Sequence, residues 1–410
     1  MAPAGSFESL VAAIQGKADS VYFGIERLNM RARSSHNFRL NDLSRITALC
    51  RENHMKSYLT LNTIIFDSDM EGMKEILNGA KKSGVNAVIA SDQAVLQYAV
   101  ESGLEVHIST QLNVSNFETL KFYARFADVV VLARELTLDQ VNEITKRIKE
   151  EQIKGPSGNL IRIELFAHGA LCMAVSGKCY LSLHESNHSA NRGNCLQTCR
   201  KAYVATEKES GYQLEIGNEY IMSPKDLNTI GFIDEIIKAG VKVLKIEGRA
   251  RAPEYVKTVV ECYDEAVKAC ADGSYGEEKI RDWNVRLAEV FNRGFWDGYY
   301  LGSKTGEWSN RYGSRATKRK IYIGKITNYF SRINVAEFKI ETGSLQVKDE
   351  MLISGPTTGV IRTRIKEIRI DKNPVKEAKK GDCCSIPVES VVRRSDKLYK
   401  IVDASMVKQQ

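Results

Sequence analysis

Short runs of β-branched and apolar residues alternate with amphipathic stretches along the first two thirds of the chain, and this alternation restricts the possible folds. Each strand-then-helix unit takes about 20 to 35 residues. Such repetition predicts an α/β fold with a parallel sheet covered by helices, and roughly eight units favour a (β/α)8-like barrel. A doubly wound open sheet is the alternative. The predicted strands are 20–25, 56–63, 86–90, 105–110, 128–132, 162–167 and 241–246, and the predicted helices include 40–53, 69–83, 93–102, 116–126 and 138–150.

Two parts of the chain depart from this regular alternation. Only three residues precede the turn at 4–6, so the first strand is either very short or begins upstream. The unit that starts at 162–167 is interrupted by a cysteine-bearing insertion and by a predicted hairpin, 202–206 against 213–222.

The last quarter of the chain changes character at about residue 315. Runs such as 320–326, 334–341 and 360–370 predict a small antiparallel β-barrel. We therefore predict three parts: a barrel with the cysteine site (1–275), a helical connector (276–314) and a β-barrel domain (315–410).

Charge is distributed unevenly between these parts. Residues 315–410 contain 21 Lys and Arg against 11 Asp and Glu, whereas the whole chain carries a net charge of +8. A basic segment on a nearly neutral body suggests a polyanion partner such as nucleic acid, because neutralising phosphates supplies most sequence-independent affinity for nucleic acid. A solvated basic surface is the alternative.

No apolar stretch reaches the roughly 18 residues that a membrane helix needs. The N-terminal residues also lack a basic segment followed by a hydrophobic one. We therefore expect a cytoplasmic protein without a membrane partner.

Four of the nine cysteines, Cys172, Cys179, Cys195 and Cys199, fall within 28 positions directly after a predicted strand. In a reducing compartment such a cluster favours metal over disulfides. Four thiolates suit an iron–sulfur cluster or zinc, and the six-residue gap between the first two is too wide for a typical structural zinc pair. An iron–sulfur cluster is therefore the favoured prediction. The other cysteines, Cys50, Cys262, Cys270, Cys383 and Cys384, lie in helical or strand patterns and are expected to pack as small apolar groups.

Polar residues near the predicted strand ends are candidates for the chemistry. Glu164, His168 and His107 are the candidate catalytic residues, with structural hydrogen bonds as the competing interpretation. Glu164 and Glu247 could also form ion pairs with Arg249 or Arg134 inside the barrel.

Substrate contacts are expected from a second group of polar residues. Cations near strand ends can hold carboxylates or phosphates, which singles out Lys225 and Arg249. Arg31 lies in a polar loop after the second strand, and Gln111 and Asn113 follow the strand at 105–110.

The segment Glu164-Leu-Phe-Ala-His-Gly-Ala-Leu-Cys172, followed by Gly177, Cys179, Leu181 and Ser182, resembles the signature of the collagenase-like peptidase U-32 family. Further similarity spans nearly the whole chain. It is carried by Ala2-Pro-Ala-Gly5, Ser109-Thr-Gln111, Arg134-Glu135-Leu136, Asn191-Arg-Gly-Asn194, Ser223-Pro-Lys-Asp-Leu227, Lys245-Ile-Glu-Gly-Arg249 and Asn292-Arg-Gly-Phe295.

The resemblance implies an oxygen-independent hydroxylase with a 4Fe-4S cluster held by the four cysteines. Cys195, Cys199 and Arg200 most resemble the transfer RNA branch. That branch converts the wobble uridine of tRNA to 5-hydroxyuridine and requires prephenate. Three alternatives remain: a peptidase, although no HExxH motif is present, a ribosomal RNA hydroxylase, and a non-catalytic RNA-binding protein with a structural metal.

Overall fold

The computed structural model describes residues 1–33, 37–201, 203–216, 223–302, 306–309 and 313–406. Its first seven strands form one parallel sheet in chain order. Nearly all their residues are buried, as expected for a parallel sheet covered by helices. These strands are β1 (Ala2–Ala4), β2 (Ser20–Phe23), β3 (Lys56–Leu61), β4 (Ala87–Ala90), β5 (Glu105–Ile108), β6 (Val129–Val131) and β7 (Arg162–Gly169).

Six amphipathic helices connect these strands, as the sequence pattern predicts. They are α1 (Phe7–Gln15), α2 (Leu43–Glu52), α3 (Met70–Ser83), α4 (Gln93–Glu101), α5 (Phe117–Tyr123) and α6 (Leu138–Glu150). Thr137 caps α6, where its hydroxyl accepts a hydrogen bond from the backbone N–H of Gln140. Gly84 ends α3 with φ of 75°, a conformation that glycine adopts without steric cost.

The first strand is short but paired: β1 aligns with residues 21–23 of β2. After β7 the chain forms α7 (Leu181–Ser186), β8 (Tyr203–Thr206), β9 (Gln213–Ile216), β10 (Asp226–Asn228), α8 (Ile233–Lys238) and β11 (Val243–Ile246). The hairpin is confirmed as β8 against β9, while residues 217–222 of its predicted second strand lie outside the described residues. Strand β11 pairs in parallel with β7. Backbone hydrogen bonds also join Met1 to Leu244 and Ile246.

Two helices and a short strand follow: α9 (Pro253–Asp272), α10 (Glu277–Glu289) and β12 (Phe295–Trp296). Helix α9 packs against α1, and β12 pairs in parallel with β10 at the edge of the first sheet. The predicted connector therefore contributes a strand to the first sheet, which is mixed at this edge because β10 pairs antiparallel with β7. The predicted boundaries themselves stay a prediction.

A separate antiparallel sheet follows, as the third part of the sequence predicts. The strands of this part are β13 (Lys318–Phe330), β14 (Val335–Ile340), β15 (Ser344–Gln346), β16 (Glu350–Gly355), β17 (Gly359–Arg364), β18 (Ile368–Ile370), β19 (Asn373–Val375), β20 (Glu377–Lys379), β21 (Cys383–Pro387) and β22 (Lys397–Asp403). Eight of them form the sheet, whereas β15 and β20 form a separate two-stranded sheet. The predicted run 360–370 is broken into β17 and β18. Buried Ile326, Phe338, Ile353 and Ile386 belong to the core of this domain.

The two sheets are held together through helices of the first domain. The Gln15 side chain donates to the carbonyl of Thr358 and accepts from the backbone N–H of Val360, both at 2.9 Å. Lys320 of β13 forms a 2.8 Å ion pair with Glu254 of α9. Among the described residues, no helix is both long and apolar enough to cross a membrane.

Candidate metal centre and cation-lined cavity

A cavity of about 370 Å³ opens at the carboxyl ends of the parallel strands. Its walls come from residues that end or follow β2, β3, β5, β6, β7 and β11. Enzymes with sheets of this type keep their active sites at this edge, because the loops that follow several strands converge there. All four clustered cysteines line this cavity.

The cysteines reach the cavity through an irregular segment that extends from β7 towards β8. All four are free thiols, with Cys172 exposed and the other three half-buried. The backbone N–H of Gln197 donates to the sulfur of Cys195 at 3.4 Å. Burial raises the pKa of the Cys199 thiol, and the nearby thiols also raise it.

Side-chain hydrogen bonds hold this segment in place. The amide oxygen of Asn191 accepts from the backbone N–H of Cys179, and its carbonyl accepts from Ile64 in the loop after β3. Arg200 donates to the carbonyl of Leu171 at 2.8 Å and to the hydroxyl of Ser223 at 2.7 Å. These bonds therefore attach the cysteine segment to the loop after β3 and to Ser223, which precedes β10.

One glycine permits the close approach of this segment to the loop after β2. Gly193 adopts φ of 81°, and a Cβ atom there would lie 2.2 Å from the carbonyl oxygen of Asn29. Any other residue would combine left-handed backbone strain with a steric clash. This explains a glycine in the Asn191-Arg-Gly-Asn194 motif.

Positive charge dominates the remaining lining. The cationic side chains are Arg31, Arg134, Arg200, Lys245, Arg249, Arg251 and Arg293, whereas Glu247 is the one carboxylate among the described lining residues. Two acids behind the wall pair with this set: Glu164 with Lys245 at 2.7 Å, and Asp226 with Arg293 at 3.3 Å. The cavity is therefore suited to anions.

Burial and ion pairing tune these groups. Arg249 is 5% exposed and donates to the side chains of Asn29 and Thr60 at 3.0 and 2.9 Å. Burial lowers the pKa of Arg249, and likewise that of Arg200, to about 10. Burial alone would raise the pKa of Glu247, but neighbouring arginines, chiefly Arg31 at 2.8 Å, outweigh it and lower that pKa to about 2. All three groups are therefore charged at neutral pH.

Residues 5–310 match the model of peptidase family U32. This chain belongs to that family. A relative named collagenase from Porphyromonas gingivalis is 60% identical over 400 residues, which cover 98% of this chain and 97% of the relative. A Bacillus subtilis relative named tRNA hydroxylation protein P1 is 31% identical over 338 residues, covering 80% of this chain and 77% of the relative. An Escherichia coli relative named as a 23S rRNA 5-hydroxycytidine synthase is 33% identical, covering 72% of this chain and 44% of the relative.

Three of the predicted substrate-binding residues of this U32 chain line the cavity with the four cysteines: Gln111, Arg249 and Arg31. The Gln111 amide oxygen accepts hydrogen bonds from Asn62, at 3.1 Å, and from the Ser109 hydroxyl. Gln111 lies close to the cysteine segment, because a Cβ atom at Gly177 would be 2.5 Å from the Gln111 side chain.

The three predicted catalytic residues do not line the cavity. His107 is buried, and its Nε2 lies 3.2 Å from a carboxylate oxygen of Glu105, which also binds Arg162 at 2.7 Å. Glu105 and Arg162 begin their strands, so this network lies toward the opposite edge of the sheet. Glu164 is fully buried against Lys245, a different partner from Arg249 or Arg134.

His168 faces away from the cavity because the alternation of β7 is interrupted. Between Lys245 and Ile246 the pairing with β7 shifts by one residue, which re-aims the side chains that follow. His168 therefore packs among Tyr255, Tyr263 and Phe295. Burial lowers its pKa to about 3, so the ring is neutral at physiological pH.

The other two predicted contacts also lie outside the cavity lining. The ammonium of Lys225 pairs with Glu307. Asn113 lines a smaller recess of about 150 Å³, whose wall also includes Arg134 and Cys172. Substrate roles for Lys225 and Asn113 stay predictions that this placement does not favour.

Five of the seven cations that line the cavity were not among the predicted site residues: Arg134, Arg200, Lys245, Arg251 and Arg293. For Lys245 a signal was present, because Lys245, Glu247 and Arg249 alternate with period two, which places them on one face of an extended chain. Arg293 approaches from a segment far along the chain, and no local pattern indicates that approach.

Proposed function

We propose that this chain is an oxygen-independent RNA hydroxylase that forms 5-hydroxyuridine at the wobble position of tRNA. The observation that carries the proposal is the meeting of four cysteine thiols with seven cationic side chains around one cavity. The relatives named for tRNA and rRNA hydroxylation, at 31% and 33% identity, support RNA as the substrate class. We further infer that the parallel strands close into a barrel, supported by the hydrogen bonds between Met1 and β11.

We propose a 4Fe-4S cluster on Cys172, Cys179, Cys195 and Cys199. All four thiols line one cavity. Six residues separate Cys172 from Cys179, a wider gap than in a typical structural zinc pair, which favours a cluster over zinc. The N–H of Gln197 on the Cys195 sulfur and the surrounding cations would stabilise an anionic cluster. A cluster in this position supplies electron transfer.

The cations would also bind the small acid that we propose as co-substrate, prephenate. A planar guanidinium can bind a carboxylate through two parallel hydrogen bonds. Arg249 is held rigidly by Asn29 and Thr60, so little side-chain entropy is lost when it binds an anion. Arg31 is partly neutralised by Glu247, which leaves Arg249 as the stronger candidate.

A nucleobase can enter the cavity only after it has left its stack with the neighbouring bases. An anticodon loop is already single-stranded, which makes this inexpensive. Gln111 can present its amide to the edge of a base, and Phe66, 53% exposed, lies beneath the Arg192 guanidinium at 4.0 Å, beside the cysteine segment. Such an aromatic and arginine pair can stack on an unpaired base.

A peptidase is the second candidate, since the 60% identical relative is named a collagenase. Hydrolysis requires a base to activate water or a thiol. No histidine lies among the described lining residues, and Glu247 has a pKa of about 2 and is paired with Arg31. The cavity therefore favours electron-transfer chemistry over hydrolysis.

Nucleoside mass spectrometry of bulk tRNA and rRNA from cells with and without the gene tests the proposal. We expect 5-hydroxyuridine derivatives to disappear from tRNA on deletion and to return with the wild-type gene but not with Cys195→Ser. A change confined to rRNA would move the substrate to ribosomal RNA. Unchanged nucleosides, together with gelatin hydrolysis by protein that lacks all four cysteines, would support the peptidase instead.

A further inference from the structure

One end of the antiparallel domain combines exposed apolar and cationic side chains. We call residues 330–333 and 389–394 the distal end. The backbone N–H of Val388 donates to Asn334 and that of Ser395 to Ile326, both at 2.8 Å. The segment 389–394 is therefore fixed at both of its ends beside the turn that joins β13 to β14.

Three large apolar side chains of the distal end face solvent: Phe330 is 41% exposed, Ile333 67% and Val391 50%. The core of the same domain is otherwise well covered, with Ile326, Phe338 and Leu398 at most 1% exposed. Apolar side chains grouped at one end of a domain mark a contact site more often than scattered ones do.

The charges around these side chains are mainly positive. Arg332, Arg393 and Arg394 are exposed and form no ion pair with the described residues. Glu389 is the one acid of the distal end, and it is paired with Lys366 at 3.3 Å. Positive charge beside an exposed aromatic ring complements nucleic acid, whose bases stack and whose phosphates bind arginine.

The distal end and the contact between the two domains lie toward opposite ends of β13. Lys320 of β13 forms an ion pair with Glu254 of α9. Helix α9 begins at Pro253, two residues after Arg251, which lines the cavity. Ten residues separate Lys320 from Phe330 along the same strand, a span of at most about 33 Å. A molecule that contacts both regions must bridge the part of β13 that lies between these residues.

We propose that the distal end binds an unpaired stretch of RNA, with a base stacked on Phe330 and phosphates on Arg332, Arg393 and Arg394. The proposal rests on the RNA substrate class of the proposed function. It adds a second point of attachment, which would hold a large RNA while the target base enters the cavity. Phosphate contacts of this kind position the RNA and do not read its sequence.

Fluorescence anisotropy of the full chain with labelled oligouridine and with bulk tRNA, over a range of salt concentrations, tests this. Arg393→Ala/Arg394→Ala should weaken binding and reduce the slope of log affinity against log salt by about 1.4, as expected for two lost phosphate contacts. Phe330→Ala should weaken oligouridine binding about tenfold without changing that slope. Phe330→Trp should bind oligouridine as wild type does, because the larger ring can still stack on a base.

The matched control is Lys376→Ala/Lys380→Ala. It removes the same charge from exposed positions of the domain. Residue 380 lies away from the distal end, because the backbone N–H of the adjacent Gly381 donates a hydrogen bond to Ile340, at the other end of β14. We expect this control to bind within about twofold of wild type.

Equal losses in the arginine and lysine variants, or absent RNA binding by the wild type, would overturn the proposal. Wild-type RNA affinity in the arginine and Phe330 variants would also overturn it and leave a protein partner as the alternative. Anisotropy does not depend on hydroxylation. Intact RNA binding without 5-hydroxyuridine would therefore contradict the proposed function alone.

Discussion

The ammonium group of Lys245 lies 2.7 Å from a carboxylate oxygen of Glu164, and neither side chain is more than 6% exposed. Lys245 lines the cavity and also faces the rings of Tyr22 and Phe166, 4.8 and 5.4 Å from their centres. The second oxygen of Glu164 has no hydrogen-bond partner among the described residues. This buried pair therefore supports the cavity wall from inside the sheet.

Glu164→Gln should destabilise the fold, because it leaves a buried ammonium group without its counter-charge. Breaking a buried pair costs about 3 to 5 kcal/mol, whereas replacing both partners by apolar groups restores much of that loss. We expect Glu164→Leu/Lys245→Met to be more stable than Glu164→Gln when the free energy of unfolding is measured in urea. The surface variant Glu150→Gln, whose partner Lys146 is 61% exposed, should behave like wild type. Equal stability of Glu164→Gln and wild type would show that the pair is not coupled in the folded protein.

Replacing any of the four cavity cysteines by serine should reduce bound iron and sulfide in anaerobically purified protein. A hydroxyl is a poorer ligand for iron than a thiolate. Cys383→Ser is the control, because Cys383 is an exposed free thiol of the antiparallel domain. Iron and sulfide analysis per chain is the measurement, and full iron content in Cys195→Ser would count against the assigned ligand set.

The Glu247 carboxylate should make stability depend on pH at the acid end. Its pKa is lowered to about 2 in the folded chain from an ordinary 4.5, so its stabilising effect is present above about pH 4.5 and lost as pH falls towards 2. Between pH 7 and pH 3 this group accounts for about 2 kcal/mol of lost stability. Urea unfolding at both pH values should show that Glu247→Gln loses less unfolding free energy between pH 7 and pH 3 than wild type does, by about that amount. Equal losses in the variant and in wild type would contradict the ion pair with Arg31.

Two glycines with similar backbone angles separate strain from steric clash. Gly193 and Gly158 have φ of 81° and 79°, but a Cβ at Gly158 would meet nothing within 4 Å. Both alanine variants should lose about 1 kcal/mol from left-handed strain. Only Gly193→Ala should also displace the cysteine segment and lose iron. Iron retained in Gly193→Ala would mean that the segment tolerates movement away from Asn29.

The predictable parts of this molecule are those that local patterns determine. Short runs of β-branched and apolar residues located the strands, and the spacing of the cysteines after β7 located the candidate metal site. His168 was misjudged because a one-residue shift in the β7 pairing reverses its direction, and nothing in the local pattern marks that shift. Arg293 was missed because its approach to the cavity depends on how the chain returns after α10.

We propose that the cysteines and cations of one cavity together carry out RNA hydroxylation. The most direct test of this function is anaerobic incubation of purified, iron-reconstituted protein with tRNA from the deletion strain, with and without prephenate, followed by nucleoside mass spectrometry. We predict 5-hydroxyuridine from wild-type protein only when prephenate is present, and none from Arg249→Gln or Cys195→Ser. Unmodified tRNA from fully iron-loaded wild-type protein, or equal product from the Cys195→Ser variant, would contradict the account.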